Sequence, residues 1–410
     1  MKYESPVGTV IVKCSRKSYV SLGHVVLLLI TLGFPRFPWS DVPLCAVLIV
    51  SHFKYVIHLF TRLESIKCLF PISLFFLFGF TLWLTHEGNS SADLVFLISI
   101  CIKAVLNIFI ALILTPILLK DGRSLLIWIF IQVVLITISV LDERAFQFLT
   151  IFSGQSGYDV YSNLFNLRGV GFGIVHVYGA ITVLGASFLY ASIISQTFLG
   201  RYILFLMQSV ALLVSRSAIP ILGIFLLLFE KLMLLVFVFI FLAISYYFIS
   251  VFDTEGVLGQ VLELGASLIE TNSLTTKSTE ASMAMWVFPV DIYSAIVGYG
   301  KFFNEGLFFM GTDVGYSRIS LFGGFPLLLL FIYANVYCVS VVLLKSQKTK
   351  YKKLALVYLL IFFSINLKGL ADVGVFAYIL LFIFQYERAQ SKRNQVLPRP
   401  LPVDIERRMR

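Results

Sequence analysis

Long apolar runs separated by short polar stretches dominate this sequence. A helix that crosses a bilayer needs roughly 20 mostly apolar residues, and we identify twelve candidate runs. Two of them, 202–214 and 218–229, are short, so each is either a full span or a half-buried, re-entrant segment. The twelve predicted spans are 19–34, 42–60, 68–85, 94–119, 124–141, 170–193, 202–214, 218–229, 232–252, 319–344, 354–367 and 372–386.

The composition indicates a membrane protein rather than a soluble one. Of the 410 residues, 59% are hydrophobic and only 13% are charged, whereas soluble domains have about 45–50% and about 25%. Forty Phe and nineteen Tyr residues also exclude a disordered chain. The sequence therefore predicts an all-α polytopic membrane protein, and it excludes soluble enzymes and nucleic-acid-binding domains.

The distribution of Lys and Arg predicts the orientation of the spans. Basic residues stay preferentially on the cytoplasmic side, and 22 of the 32 lie on one side when both termini are cytoplasmic. The predicted organisation is a cytoplasmic N-terminus 1–18 and a single transmembrane domain 19–386. That domain carries long outer loops at 142–169 and 253–318, and a basic cytoplasmic tail, 387–410, follows it and contacts anionic lipid.

The sequence indicates no metal, disulfide or cofactor site. All five cysteines lie outside the two long outer loops, and no pair of them has the spacing of zinc ligands. The outer loops contain acids, but neither a paired Asp-x-Asp nor a cluster of histidines that would hold a divalent ion. We therefore predict chemistry that needs no metal and no cofactor.

Cations on the outer side are the first candidates for chemistry, because the charge distribution should exclude them from that side. Arg216 lies in a three-residue break between two short spans, where it either snorkels to the interface or binds a phosphate through its planar fork. Arg168 precedes the glycine-rich entry into span 170–193, in which His176 is either a buried structural histidine or a base. Lys277 and Lys368 are further outer cations.

The densest group of candidate residues ends the second long loop. Glycines at 298, 300, 311 and 315 permit sharp turns and close backbone approach. Asp313 is either only a helix cap or, with Tyr316 and Arg318, part of a site for sugar hydroxyls and phosphate. Lys301 is a further substrate-binding candidate in this stretch.

Some polar residues share a helix face inside or beside the spans. We expect the pairs inside spans to point into the bundle, where polar groups find partners. Lys368 and Asp372 have the same i, i+4 spacing and could neutralise each other at an outer turn. The pairs inside spans are Lys54 with His58 and Lys103 with Asn107.

The layout and motifs of the chain resemble the Wzy-type O-antigen polymerases, which are related to the O-antigen ligases. The resemblance rests on about twelve spans, two long periplasmic loops, the stretch 311–324, and Ser215-Arg216-Ser217 between two short spans. Arg168, followed by ten residues and Gly179, is similar to an Arg-x10-Gly pattern of these polymerases. Their second pattern, Arg-x15-Gly, is absent from the later loop, because Ala334 stands where Arg318 would need a glycine.

The resemblance implies a GT-C-type glycosyltransferase architecture in a bacterial inner membrane. Such an enzyme polymerises O-antigen repeat units at the periplasmic face, moving the glycan from undecaprenyl pyrophosphate to the terminal sugar of another lipid-linked unit. Its expected partners are the undecaprenyl-pyrophosphate-linked oligosaccharide, membrane lipid and a separate chain-length regulator, with no nucleic acid. The implied catalytic residues are Arg168, Arg216, Arg318 and Asp313, and the implied substrate-binding residues are Lys277, Lys301, Tyr316, Lys368 and His176.

We further expect Arg168, Arg216 and Arg318 to converge on one cavity, where at least two of them contact the donor pyrophosphate. Three alternatives stay open. An O-antigen ligase would be expected to carry a catalytic histidine in the long loop, and residues 253–318 contain none. A transporter or flippase would move the lipid-linked oligosaccharide without forming a bond, and a purely structural subunit would leave Arg216 without a role.

Overall fold

The computed structural model describes residues 21–396 apart from 39, 55–56, 58–65, 88, 164, 166–168, 175, 195–282, 305 and 368. The described residues are mostly helical, and four of their helices are long and apolar enough to cross a membrane. The protein is therefore a helical membrane protein, as its sequence predicts. The four helices are Ile66–Thr85, Ser91–Lys120, Arg123–Leu141 and Gly315–Lys345.

The described elements are α-helices and one small antiparallel hairpin. Strands β1 (Phe303–Asn304) and β2 (Leu307–Phe308) pair in that hairpin. Short 3-10 turns occupy Ile151–Ser153 and Phe309–Gly311, and a π-helical turn occupies Tyr190–Ile194. In chain order the helices are α1 Leu22–Thr31, α2 Cys45–Ser51, α3 Ile66–Thr85, α4 Ser91–Lys120, α5 Arg123–Leu141, α6 Glu143–Thr150, α7 Gln155–Tyr161, α8 His176–Leu189, α9 Ile292–Val297, α10 Gly315–Lys345, α11 Thr349–Asn366 and α12 Val375–Val396.

The observed helices match several of the predicted spans. The spans 68–85, 94–119, 124–141 and 319–344 correspond to α3, α4, α5 and α10. The predicted spans 354–367 and 372–386 overlap α11 and α12, which contain three and four charged residues respectively. The spans 202–214, 218–229 and 232–252 lie outside the described residues, so twelve spans and a GT-C-type architecture remain proposals.

Helix α4 illustrates how the sequence sets the limits of a helix. Its N-cap Ser90 accepts a hydrogen bond from the Asp93 amide at 3.2 Å, and the Asp93 carboxylate accepts one from the Ser90 amide at 3.1 Å. This reciprocal capping box satisfies amides that a helix start leaves without partners. The helix ends after Lys120, whose charge favours the negative end of the helix dipole.

Helix α10 is broken at Gly323 and Gly324. Gly324 has φ +70° and ψ −176°, a conformation essentially restricted to glycine, and residue 326 is a proline that has no amide hydrogen. The carbonyl of Phe322 therefore cannot accept its usual helical bond. It accepts one from the Gly300 amide at 2.9 Å instead, so the break fixes the preceding loop to the helix.

Two non-helical segments enter the helix bundle, and buried polar side chains satisfy their backbone groups. In the segment 169–174, the amides of Val170 and Phe172 donate to Ser139 and Gln132 of α5 at 2.9 and 3.0 Å. Irregular backbone at membrane depth is tolerated only where it is buried in protein or lines a cavity. The first non-helical segment therefore depends on polar residues of a neighbouring span.

The second non-helical segment connects α11 to α12 and is described at residues 367 and 369–374; we call it the segment 367–374. The amide of Ala371 donates to Asn366 at 3.1 Å, and the amide of Val373 donates to Asn335 of α10 at 3.0 Å. Both asparagines are buried. The path of this segment is therefore fixed by side chains that lie outside its own sequence.

Candidate functional site

A buried arginine, Arg318, is the centre of the candidate site. Its side chain is only 7% exposed and lies in the part of α10 that precedes the glycine break. The guanidinium carbon lies 3.7 Å from the ring centroid of Phe308 and 4.7 Å from that of Phe96. Nη1 lies 3.4 Å from Oδ1 of Asp313, whose side chain is 55% exposed. We call these four residues the Arg318 cluster.

The first turns of α4 hold the aromatic side of the Arg318 cluster in place. The amides of Phe302 and Phe303 donate to Oδ1 of Asp93 at 2.7 and 3.0 Å. The ring of Phe96, one turn further along α4, packs edge-on against both of these phenylalanines. Phe303 in turn pairs with Phe308 across the hairpin. The capping carboxylate of α4 therefore also anchors the hairpin that brings Phe308 to Arg318.

The start of α10 decides the role of Asp313. The N-cap of α10 is Val314, and its amide donates to the hydroxyl of Thr312 at 3.2 Å. Thr312 donates in turn to the carbonyl of Met285 at 2.6 Å, which ties this turn to the preceding loop. Val314 rather than Asp313 is therefore the N-cap residue, and Asp313 is not only a helix cap, because its carboxylate contacts Arg318.

Another acid in the described part of the long loop does act as a cap. Asp291 is the N-cap of the short helix α9 and accepts a hydrogen bond from the Ser294 amide at 2.8 Å. The Ser294 hydroxyl also donates to this carboxylate. These hydrogen bonds, the hydroxyl bond first, lower the pKa of the Asp291 carboxyl. Asp291 thus acts as a helix cap in the described part of the long loop.

Two further predicted site residues, Tyr316 and Lys301, are close to the Arg318 cluster in sequence but have different surroundings. The Tyr316 hydroxyl donates to the carbonyl of Phe363 in α11 at 3.1 Å. Lys301 is half-buried beside Phe302, at the start of the hairpin. Their predicted roles in binding substrate remain predictions.

The other predicted site residues lie beyond what the structure describes. Arg168, Arg216, Lys277 and Lys368 are outside the described residues. His176 begins α8, and its side chain is also outside the described part. The convergence of three arginines on one cavity is therefore a prediction that only the position of Arg318 addresses.

A second polar cluster lies between α4 and the segment 367–374. Nζ of Lys103 lies 3.6 Å from Oδ2 of Asp372, and the Asn107 amide donates to the same oxygen at 3.1 Å. The Gly374 amide donates to the other carboxylate oxygen at 2.9 Å. We call Lys103, Asn107 and Asp372 the intramembrane cluster. The prediction that Lys103 and Asn107 find partners inside the bundle is confirmed.

Of two related predictions, the one for Lys54 is wrong and the one for Lys368 stays a prediction. The prediction that Lys54 points into the bundle is wrong, because its side chain is exposed, while His58 lies outside the described residues. The Asp372 carboxylate contacts Lys103 and Asn107, which come from a helix distant in sequence. Its predicted pairing with Lys368 stays a prediction, since Lys368 lies outside the described residues. The i, i+4 spacing alone thus predicted that two residues share a helix face, but it did not predict which residues they contact.

Both clusters include residues on the same face of α4. The first turn of α10 also connects them. Phe96, Lys103 and Asn107 recur at intervals of seven and four residues, which places them on one side of a helix, about 10 Å apart for the first pair. A methyl group on Gly315 would lie 2.9 Å from the carbonyl oxygen of Gly369. The segment that carries Asp372 therefore packs directly against the first turn of α10, one turn before Arg318.

Several residues of this site are not among those predicted from the sequence. Phe96, Phe308 and Asp93 were not predicted, and Asp372 was predicted to have only a local role. The capping box at Ser90 was visible in the sequence as a Ser followed three residues later by an acid. Nothing in the sequence indicated that this acid would also bind the backbone of a loop more than 200 residues away.

The described residues contain no group of three His, Cys, Asp or Glu side chains that could hold a metal ion. The metal-free chemistry that the sequence predicts remains a prediction. No protein-family model, no curated protein and no solved structure matches this chain. Its function must therefore be argued from its own residues.

Proposed function

We propose that this protein is a Wzy-type O-antigen polymerase, a glycosyltransferase that uses a polyprenyl pyrophosphate donor. The observation that carries the proposal is the buried guanidinium of Arg318, which lies where the long loop joins a membrane-spanning helix. Arginine suits a phosphate because its planar fork donates two parallel hydrogen bonds. A cation held at the end of a span, beside an exposed carboxylate, fits a lipid-linked pyrophosphate sugar.

The proposed reaction defines what the site must do. A hydroxyl of the acceptor sugar forms a bond to the anomeric carbon of the donor glycan, and the bond between that carbon and the pyrophosphate oxygen breaks. Arg318 stabilises the charge that develops on the leaving pyrophosphate, which is electrostatic work suited to a fixed cation. Asp313 is the described carboxylate that contacts this cation, and it is our candidate to accept the proton of the hydroxyl.

The proposal extends to the surroundings of the protein. We place the site at the periplasmic face of a bacterial inner membrane, with both termini cytoplasmic and with about twelve spans in a GT-C-type arrangement. The partners are the undecaprenyl-pyrophosphate-linked oligosaccharide, membrane lipid and a chain-length regulator. The apolar helices support the membrane location, and the excess of Lys and Arg on one side of the predicted spans supports the orientation.

Incubation of the purified full-length protein with a single lipid-linked repeat unit tests the proposal directly. A polymerase is expected to convert that unit into a ladder of products that differ by one repeat. Gel separation of the fluorescently labelled glycans measures the ladder. A protein that inserts normally and leaves the unit unchanged, with donors from several O-antigen types, would contradict the proposed reaction.

The same assay tests whether the reaction depends on a metal. Because fixed guanidinium groups are proposed to neutralise the pyrophosphate, the rate of ladder formation should change by less than about twofold when a chelator is present. The comparison is between samples with and without chelator, followed by addition of magnesium or manganese. Loss of activity that either ion restores would show that a metal performs the work assigned here to arginine.

A lipid-linked oligosaccharide flippase is the second candidate, since the described chain contains broken helices. Helix α10 breaks at Gly323 and Gly324, and the segment 367–374 enters the bundle without helical structure. Discontinuous helices of this kind often form the substrate sites of transporters. In vesicles of defined lipid composition, a flippase would move the labelled lipid between leaflets without changing its length, whereas the polymerase would lengthen the glycan.

A further inference from the structure

We infer that the intramembrane cluster positions Arg318 for the proposed transfer, by holding the segment 367–374 against the first turn of α10. This inference rests on the proposed function. It assigns Lys103, Asn107 and Asp372 as positioning residues, because each acts on Arg318 through the backbone rather than by touching substrate.

Helix α4 fixes the position of Asp372. Its carboxylate is only 11% exposed and receives three contacts, from the ammonium group of Lys103, the amide of Asn107 and the backbone amide of Gly374. Two of these donors belong to one face of α4, whose first turns also carry Phe96. The same rigid helix therefore supports both the aromatic side of the Arg318 cluster and the segment beneath it.

The segment 367–374 contacts α10 at a point that controls the position of Arg318. A Cβ on Gly315 would lie 2.5 Å from the Asn366 side-chain oxygen, 2.9 Å from the Gly369 carbonyl oxygen and 2.9 Å from Cα of Leu370. Backbone and backbone are therefore in direct contact there. Arg318 follows three residues later on the same helix, so a shift of this turn moves the guanidinium.

The intramembrane cluster would be a costly way to hold a segment in place if packing were its only role. Charged residues inside a span are expensive, and apolar residues of similar volume often replace a buried ion pair without loss of stability. Three polar residues from two distant parts of the chain fix direction as well as proximity. A directional anchor is what the placement of a guanidinium requires.

A double-mutant cycle tests the inference. The first variant replaces the whole cluster with apolar residues, Lys103→Met, Asn107→Leu and Asp372→Leu, so that no buried charge is left without a partner. The second variant is Arg318→Ala, and the third combines both. With Arg318 present, the apolar variant should form ladder about tenfold more slowly than the wild type. In the Arg318→Ala background, the same change should slow the reaction by less than about twofold.

A matched control uses the other non-helical segment. Gln132→Leu with Ser139→Ala removes two buried side chains that bind the backbone of residues 169–174, a segment held by α5 rather than by α4. Any slowing that it causes should be the same whether residue 318 is arginine or has been replaced by alanine. Rates are compared per amount of folded protein, measured by fluorescence-detected size-exclusion chromatography.

The outcomes separate the inference from the function on which it rests. Slowing that depends on Arg318 for the cluster variant, and not for the control, supports the positioning role. Equal slowing in both backgrounds, or no slowing at all, overturns that role while the ladder formed by the wild type keeps the proposed function. If the wild type forms no ladder, the proposed function fails and the positioning role falls with it.

Discussion

Replacing Arg318 with alanine is expected to slow ladder formation by about ten- to a hundredfold. A hydrogen bond to a charged group contributes roughly 1.5–3 kcal/mol, and each 1.36 kcal/mol lost from the transition state is about tenfold in rate. The guanidinium is buried against Phe96 and Phe308, so another side chain cannot easily take its place. The measurement is the initial rate of ladder formation by purified protein at equal folded concentration.

Two companion variants make the Arg318 result specific. Arg318→Lys should recover only part of the rate, because lysine keeps the charge but loses the planar fork. Arg144→Ala is the matched control, because Arg144 is an exposed arginine in the first turn of α6, and surface substitutions usually change stability little. A wild-type rate for Arg318→Ala, with the protein inserted normally, would show that this arginine is only a packing element.

Replacing Gly324 with alanine is expected to reduce the amount of folded protein severely, with a cost of roughly 2–4 kcal/mol. A Cβ at this position would lie 2.4 Å from the carbonyl oxygen of Ile296. Neither atom could easily move, because the oxygen belongs to the backbone and the Cβ is fixed by the backbone that carries it. The backbone angles of Gly324 are also essentially restricted to glycine. Thermal unfolding followed by fluorescence-detected size-exclusion chromatography measures the loss.

Gly306 supplies the matched control for Gly324. Its φ is +82°, yet a Cβ there would meet no atom within 4 Å. Gly306→Ala therefore retains the conformational penalty, about 1 kcal/mol, without the collision. If the two variants unfold at the same temperature, the contact between α10 and α9 does not constrain the break in α10.

The fold could be predicted from sequence where one property dominates. Apolar length located α3, α4, α5 and α10, because a span must be long and apolar whatever surrounds it. The break in α10 was not predicted, although Gly323, Gly324 and Pro326 were visible. A glycine pair is tolerated in many helices, and here the loop residues Tyr299 and Gly300 donate hydrogen bonds to the carbonyls of Leu321 and Phe322, which the sequence does not reveal.

The candidate site was predictable to a smaller extent. Charge placement indicated Arg318, since a cation at the end of a long outer loop is unexpected. The dense group of candidate residues around it indicated Asp313. Phe96 and Phe308 carry no such signal, because phenylalanine is abundant throughout the chain. Asp372 illustrates the limit of local spacing, since the side chains that it contacts lie 265 and more residues away in sequence, which no i, i+4 pattern can reveal.

The break in α10 also matches the helix to the thickness of a bilayer. Unbroken, its 31 residues would extend about 46 Å, well beyond the roughly 30 Å of the hydrocarbon layer. Below the break, residues 325–345 extend about 32 Å, and residues 315–322 add a separate piece of about 12 Å. Arg318 therefore belongs to the piece that the hydrocarbon layer does not need to contain. A thicker bilayer would draw that piece toward the acyl chains, so we expect the lipid chain length of the membrane to affect the surroundings of the guanidinium.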